Sequence, residues 1–268
     1  MLEVKSNLVF TSAGKHSNIE QWLSGQSFDI FVVYYADGEF PLRHKVQHLA
    51  YRKGGKFQNL HYFFQSLKHI FDQYSDVFVV DDDIEISGKD IDRLFEYRRV
   101  VDASILQPSF SHAGKISHSI TGMQAFSKYR FTNFVEVTCP LFSAPYLFDF
   151  LNQFDSRANG GGVDFWFCQK ANELKLKIVI VDEIWCTNPQ DTKKQGIREI
   201  DKFQSREVRN AAWSTVKHER GLNLNEKVFQ TYSKVRQFKP RQIAHYLAQR
   251  MVRFFIRVKN NLMSLFGL

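Results

Sequence analysis

The chain has 268 residues and a net charge of +8, and aromatic residues make up 15% of it. This length allows one large α/β domain with an appendage. The charge is uneven, because Glu226 is the last acidic residue and nine Lys or Arg residues follow it. Those nine positive charges exceed the net charge of +8, so residues 1–226 together carry a net charge of −1. This balance argues against nucleic-acid binding by residues 1–226.

The cysteines indicate a reducing compartment. Cys139, Cys168 and Cys186 show no CxxC spacing and form no even set. The first seven residues lack the basic-then-apolar order of a signal peptide. We therefore expect a cytoplasmic protein without a disulfide framework.

Apolar runs and helical periodicity alternate along the chain. A polar, loop-rich insertion is expected over residues 109–131. Alternating strands and helices predict an α/β domain with a largely parallel sheet. The predicted strands are residues 8–12, 28–35, 77–80, 104–108, 134–138 and 177–181, and the predicted helices are 57–71, one capped by Ser87, 145–154 and 165–174.

The strand at residues 77–80 ends in three adjacent carboxylates, Asp81, Asp82 and Asp83. Like charges repel, so a fold gains nothing by placing them side by side without a counter-charge. A hard divalent cation would supply one. Ligands of parallel sheets bind beyond the carboxyl ends of the strands, where these residues stand. The sequence therefore predicts a metal site here.

Four interpretations of this acidic cluster were compared. An EF-hand loop is excluded, because Ile86 occupies the sixth position, where the turn requires glycine. A solvated acidic turn needs no ligand. A magnesium-dependent phosphohydrolase would need further motifs that the chain lacks. In the fourth, a DxD site, Asp81 and Asp83 hold an ion that bridges the two phosphates of a nucleotide sugar and acts as a Lewis acid.

Two glycine-rich segments precede helices. The loop of residues 52–56 ends in Lys56 and suits either a bound phosphate or a solvated turn. Residues 159–162 include three consecutive glycines, which indicate a close approach of the backbone. Asp164 follows at a helix start, and two interpretations of it are open. Its carboxylate could simply be stabilised by the helix dipole, by roughly 0.3–1 kcal/mol, or it could serve as a general base.

The ordered set of Asp81-Asp82-Asp83, residues 131–137, residues 140–143 and residues 161–164 resembles domain-of-unknown-function family 707, over about residues 5–195. That family is in turn similar to GT-A glycosyltransferases. The resemblance implies a GT-A-like (Rossmann-like) mixed, largely parallel sheet flanked by helices. It also implies a metal-dependent, inverting glycosyltransferase with Mn²⁺ or Mg²⁺ as cofactor. Such an enzyme would move a sugar from a UDP-linked or other nucleotide-sugar donor to a hydroxyl of a glycan or lipid-linked acceptor. The implied role is in cell-surface polysaccharide or lipopolysaccharide synthesis. A non-catalytic nucleotide- or glycan-binding scaffold is the alternative.

The resemblance also assigns roles to matching residues. Asp83 would be the main metal ligand, supported by Asp81. Cys186 stands where the related proteins have a histidine and would be a softer third ligand. Asp164 would be the catalytic base. The expected acceptor-binding residues are Glu136, Gly161 and Gly162, and the expected donor-binding residues are Thr11, Asp37, Lys56, Asp81 and Asp82.

The C-terminal region predicts a basic amphipathic helix at residues 241–268, after a catalytic domain at 1–200 and a helical extension at 201–240. Arginines interrupt the apolar run, so no stretch approaches the ~20 residues that span a bilayer. The helix could pack on the domain, form an oligomer contact or lie in an anionic membrane surface at the inner face of the membrane. In the last case, truncation at about Gln237 would release the protein from anionic liposomes. Its apolar stripe is Ile243, Leu247, Met251, Phe254, Val258, Leu262 and Leu265.

Overall fold

The computed structural model describes residues 5–190 and 204–265. Its strands are β1 Asn7–Ala13, β2 Phe28–Tyr34, β3 His48–Tyr51, β4 Asp76–Val79, β5 Ile105–Phe110, β6 Ser127–Thr132, β7 Leu141–Ser143, β8 Ile178–Cys186 and β9 Thr231–Arg236. Its α-helices are α1 Ile19–Trp22, α2 Lys56–Ser66, α3 Lys68–Phe71, α4 Gly88–Val101, α5 Ala144–Gln153, α6 Val163–Glu173, α7 Arg206–Glu219 and α8 Pro240–Leu265.

In the part of the chain that is described, the strands form one nine-stranded sheet in the order β3-β2-β1-β4-β7-β5-β8-β6-β9. Strands β6 and β7 run antiparallel to their neighbours, and the other strands all run in one direction. The predicted α/β architecture, a mixed and largely parallel sheet flanked by helices with a C-terminal helical tail, is confirmed.

The central strands are buried on both faces, which explains their continuous apolar runs. Along β1, Leu8 and Phe10 enter one apolar cluster, shared with α2, α5 and α6. Val9 enters the opposite cluster, shared with α1 and α4. This alternation follows from the two-residue period of a strand, and the helices cover both sides of the sheet.

Two predicted elements differ in the structure. The helix predicted at residues 57–71 is divided into α2 and α3, because Leu67 leaves the helical conformation (φ −128°, ψ 39°). The strand predicted at residues 134–138 is wrong: this stretch is largely buried but lies outside the strands. It crosses from the end of β6, where Thr132 pairs with Ile178 at the start of β8, to the carboxyl edge of the sheet, where Thr138 meets Asp81 and β7 begins.

The region predicted as a helical extension contributes a strand to the sheet. Besides α7 it contains β9, which pairs antiparallel with β6 at the sheet edge. The proposed boundary at residue 200 falls outside the described residues. No helix among the described residues is both long and apolar enough to cross a membrane.

Candidate active site

The acidic turn follows β4 at the carboxyl edge of the sheet and is held by contacts from three other segments. The Asp81 carboxylate lies 2.6 Å from the Lys56 ammonium. Asp82 Oδ2 accepts the backbone N–H of Gly14 at 2.8 Å. The side-chain amide of Asn18 donates to the carbonyl of Asp83 at 2.7 Å. The three carboxylates are therefore presented by a fixed backbone.

The electrostatics of this turn favour a cation. Burial raises the pKa of Asp82 to about 7, and the negative charges of Asp83 and Asp81 add to the shift, against the hydrogen bond from Gly14. The turn thus resists carrying three full negative charges. A cation beside it would relieve that repulsion and lower the pKa of Asp82 again.

The acidic turn supplies only some of the ligands that a metal ion needs. Among residues 5–190 and 204–265, no group of three or more His, Cys, Asp or Glu side chains is arranged to hold a metal ion. Mg²⁺ is commonly bound by one or two carboxylates together with substrate phosphates and water. The hard oxygens of Asp81 and Asp83 suit that arrangement.

Cys186, the predicted soft ligand, belongs to the core. Its side chain is buried, and its Sγ lies 3.9 Å from Cys139 Sγ. Burial raises the pKa of the Cys139 thiol well above its usual range. Because hard cations prefer oxygen and this sulfur packs against another thiol, we leave Cys186 out of the candidate site.

Lys56, predicted to contact a donor phosphate, is turned into the protein at the start of α2. Besides Asp81, its ammonium donates to the carbonyls of Val137 at 2.8 Å and Thr138 at 2.9 Å. Its side chain is only 9% exposed. Lys56 therefore balances the charge of Asp81 and fastens residues 137 and 138 beside it.

The non-strand segment of residues 134–138 connects the acidic turn to a second acidic group. The backbone N–H of Asp81 donates to the carbonyl of Thr138 at 2.8 Å. One residue earlier, the backbone N–H of Val137 donates to Asp164 Oδ2 at 3.2 Å. Main-chain hydrogen bonds of residues 137 and 138 therefore link the acidic turn to Asp164.

Asp164 stands in the first turn of α6 and is 5% exposed. Its second oxygen, Oδ1, accepts the backbone N–H of Phe165 at 3.1 Å. Burial raises the pKa of Asp164, and the hydrogen bond from Val137 and the nearby His118 oppose that rise. The carboxylate is thus fixed in position and has a raised affinity for a proton.

Glu136 lies near Asp164 and is 2% exposed. Its Oε1 accepts the hydroxyl of Thr121 at 2.6 Å and the backbone N–H of His118 at 3.2 Å. Burial raises the pKa of Glu136, and the negative charge of Asp164 adds to the rise. Because their pKa values are raised, these two buried carboxyl groups bind a proton more tightly than free carboxyls do, as suits a general base.

His118 is a site residue that no pattern in the sequence singles out. Its imidazole ring packs against Phe134, with centroids 4.9 Å apart, and its Nδ1 lies 2.9 Å from Glu226 Oε1. In the sequence it is an isolated histidine in a polar insertion. The sequence pattern does not single out Thr121 or Gln107 either. The Oε1 of Gln107 accepts the backbone N–H of Glu136 at 2.6 Å.

The glycine segment beside Asp164 has one strained and one open position. Gly162 has φ +100°, and a Cβ there would overlap the ring of Trp213. Gly161 is exposed and has open space around the position of a Cβ. The segment therefore packs against α7 through Gly162 and leaves room for a ligand at Gly161, three residues before Asp164.

The predicted donor residues Thr11 and Asp37 differ in their exposure. Thr11 is fully buried within β1. Asp37 is 96% exposed and pairs with Lys53 at 3.3 Å. A cavity of about 540 Å³ lies at the opposite, amino-terminal edge of the sheet, lined by Tyr74, Arg98 and Phe148 among others, and none of the predicted site residues lines it.

No family model matches this chain. No curated protein matches it in sequence either. Among solved structures it is similar to the Staphylococcus aureus protein described as "Crystal structure of S. aureus TarS 1-349", with a TM-score of 0.44 and 13% identity over 92% of this chain and 72% of that one. This likeness defines no family for the chain, so the resemblance to family 707 stays a prediction.

Proposed function

We propose that the chain is a metal-dependent, inverting glycosyltransferase. It would move a sugar from a nucleotide-sugar donor, UDP-linked in the simplest case, to a hydroxyl of a glycan or lipid-linked acceptor. The observation that supports this proposal is the link through residues 137 and 138, whose main chain binds both the acidic turn after β4 and the buried Asp164. A hard-cation site and a fixed proton acceptor close together are what this transfer requires.

On the donor side, Asp83 and Asp81 would hold Mn²⁺ or Mg²⁺, and Asp82 would support them. Such an ion supplies positive charge to the departing diphosphate. Lys56 keeps the Asp81 carboxylate in place from inside the protein, through their 2.6 Å contact. The Gly14 N–H does the same for Asp82.

On the acceptor side, Asp164 would take the proton from the acceptor hydroxyl. The hydroxyl oxygen then forms a bond to the anomeric carbon, while the bond from that carbon to the diphosphate oxygen breaks and the diphosphate leaves with the electron pair. Attack from the face opposite the diphosphate inverts the anomeric centre. Glu136 would orient a sugar hydroxyl, and Gly161 would leave room for the acceptor chain.

The test is a panel of nucleotide-sugar donors with glycan and lipid-linked acceptors, with and without Mn²⁺, analysed by mass spectrometry of the products. We expect metal-dependent turnover that falls by roughly 10²–10⁴-fold in Asp164→Asn, the range that a general base contributes. Asp83→Ala should lose turnover and metal dependence together. Binding of a nucleotide sugar without turnover across the whole panel would favour the scaffold.

The proposal includes a cellular role and a place. Surface polysaccharide or lipopolysaccharide synthesis provides lipid-linked acceptors at the inner face of the membrane, where a cytoplasmic protein could reach them. The exposed apolar residues of α8 support a peripheral membrane association. Their arrangement leads to the following inference.

A further inference from the structure

Helix α8 is attached to the domain by its polar side. Gln242 is 2% exposed, and its side-chain amide donates to the carbonyls of Ser127 at 2.9 Å, Gln124 at 3.1 Å and Asp182 at 3.2 Å. Two helical turns later, Gln249 is 7% exposed and its Oε1 accepts the backbone N–H of His112 at 2.9 Å. We call this pair of glutamines the glutamine clamp.

A ring contact between the two glutamines reinforces the attachment. The imidazole of His245 stacks on Trp185 of β8, with ring centroids 4.4 Å apart. Residues 242, 245 and 249 follow steps of three and four, so they lie on one face of α8. If α8 rotated by half a turn about its own axis, the carbonyls of Gln124, Ser127 and Asp182 would lose the hydrogen bonds that Gln242 donates.

The apolar side of α8 consequently faces outward. The exposed apolar residues on the side away from the clamp are Leu247 (55%), Met251 (60%), Phe254 (62%), Phe255 (61%) and Val258 (38%). Large apolar side chains grouped at the surface mark a contact site. The usual amphipathic arrangement, with the apolar side toward the domain, is reversed here.

The charges beside this outward face select its partner. Arg241 and Arg250 are exposed at the flanks of this helix, Arg253 lies on the domain side beside His112, and no acidic residue follows Glu226 in the sequence. Apolar side chains flanked only by cations fit an anionic lipid surface, which takes both the apolar groups and the charge. A protein partner would have to offer an apolar groove bordered by acidic residues.

We propose that an anionic lipid bilayer docks on the outward face of α8 while the glutamine clamp keeps the inner face on the domain. The bilayer would then lie beside residues 111–126, which the clamp holds near both ends, at His112 and Gln124. The same stretch carries Thr121 and His118, which bind Glu136. Within the proposed function, this placement favours a lipid-linked acceptor over a free glycan.

The test is flotation of the full chain with vesicles of phosphatidylcholine, with or without phosphatidylglycerol. We expect binding only to the anionic vesicles, and a loss of about tenfold or more when Phe254→Ser and Phe255→Ser are combined. Val100→Ser is the matched control, because Val100 is 81% exposed on α4, and it should bind as the unchanged chain does. Equal flotation of the double variant would overturn the proposal.

A second measurement tests whether α8 stays on the domain. Hydrogen exchange of the His112 amide should be as slow with anionic vesicles as without them, because its acceptor on Gln249 remains in place. Faster exchange on vesicle binding would overturn the clamped arrangement. A dimer that is lost in the double variant, with no flotation of the unchanged chain, would identify a second copy as the occupant.

These measurements need no catalytic turnover. Failure of the donor panel with normal flotation would reject the glycosyltransferase and leave the docking surface in place. Turnover without flotation would reject the docking surface and leave the glycosyltransferase proposal in place.

Discussion

At the scale of single residues, the buried acids Glu136 and Asp164 oppose stability. Both pKa values are raised mainly by burial, so the folded state holds their protons more tightly than the unfolded chain does. A group of this kind costs stability as the pH rises from its unfolded pKa through its folded pKa. Residues that cost stability in this way are common at functional sites.

We therefore expect Glu136→Gln to raise the thermal midpoint at neutral pH. The rise should be absent well below the usual carboxyl pKa, where the carboxyl is protonated in both states, and should grow as the pH is raised through the pKa of the unfolded chain to pH 7–8. Thermal unfolding across this pH range measures it. Glu219→Gln is the control: its exposed carboxylate has a pKa lowered chiefly by its hydrogen bond with Arg157, so no gain is expected.

Lys56 gives a second prediction at this scale. Replacing it with methionine removes the Lys56 donor from the carbonyl of Val137, one of two donors from the carbonyl of Thr138, and the ammonium beside Asp81. We expect a loss of about 1–3 kcal/mol in the free energy of unfolding, the cost of an unpaired buried polar group. Urea denaturation measures it.

Lys53→Met is the matched control for that change. Lys53 pairs with Asp37 at the surface, where both side chains are exposed. Exposed ion pairs contribute at most about 1 kcal/mol, so the variant should unfold close to the unchanged chain. Equal losses in the two variants would show that the inward contacts of Lys56 add nothing.

At the scale of elements, long apolar strands could be predicted from the sequence and short or polar ones could not. Strands β1, β2 and β4 are continuous apolar runs buried on both faces. Strand β9, in contrast, is exposed along its whole length, and β7 has only three residues. Their pairing depends on partners far along the chain, which a local pattern does not contain.

Residues 134–138 show the same limit inside the site. Their alternating pattern favours a strand, yet their backbone donors bind side chains. The N–H groups of Val135, Glu136 and Val137 donate to Cys168 Sγ, Gln107 Oε1 and Asp164 Oδ2, respectively. The sequence therefore indicated the acidic turn and Asp164 as candidates, but not the segment that joins them.

The glycine segment before α6 gives a testable prediction at the scale of elements. Gly162→Ala puts a Cβ against the Trp213 ring in a left-handed conformation, so we expect a loss of at least about 1–2 kcal/mol. Gly161→Ala, one residue earlier in open space, should be nearly neutral. Chemical denaturation of the two variants checks this difference, and equal losses would contradict the contact with Trp213.

At the scale of the whole molecule, the C-terminal region completes the fold as well as presenting a surface. Strand β9 extends the sheet, and α8 supplies the Gln242 donors to three carbonyls of the domain. The uneven charge of the sequence correctly pointed to a distinct C-terminal helix. It could not reveal which side of that helix faces the domain, because the attachment is made by glutamines.

Truncation at about Gln237 should therefore lower stability as well as membrane affinity. The carbonyls of Gln124, Ser127 and Asp182 lose their donor, and Trp185 loses the ring stacked on it. We expect a fall of several degrees in the thermal midpoint, since each degree corresponds to roughly 0.3–0.5 kcal/mol in a chain of this size. An unchanged midpoint would contradict the contribution of the clamp.

The hydrogen bond from the Val137 N–H to Asp164 Oδ2 also provides an intrinsic spectroscopic probe. An amide proton bonded to a carboxylate shifts when that carboxylate is protonated, because a charge-assisted bond becomes a neutral one. The Val137 amide resonance in a ¹⁵N-labelled sample should thus titrate with Asp164. Ligand binding at the candidate site could then be followed at the proposed base before any substrate of the protein is known.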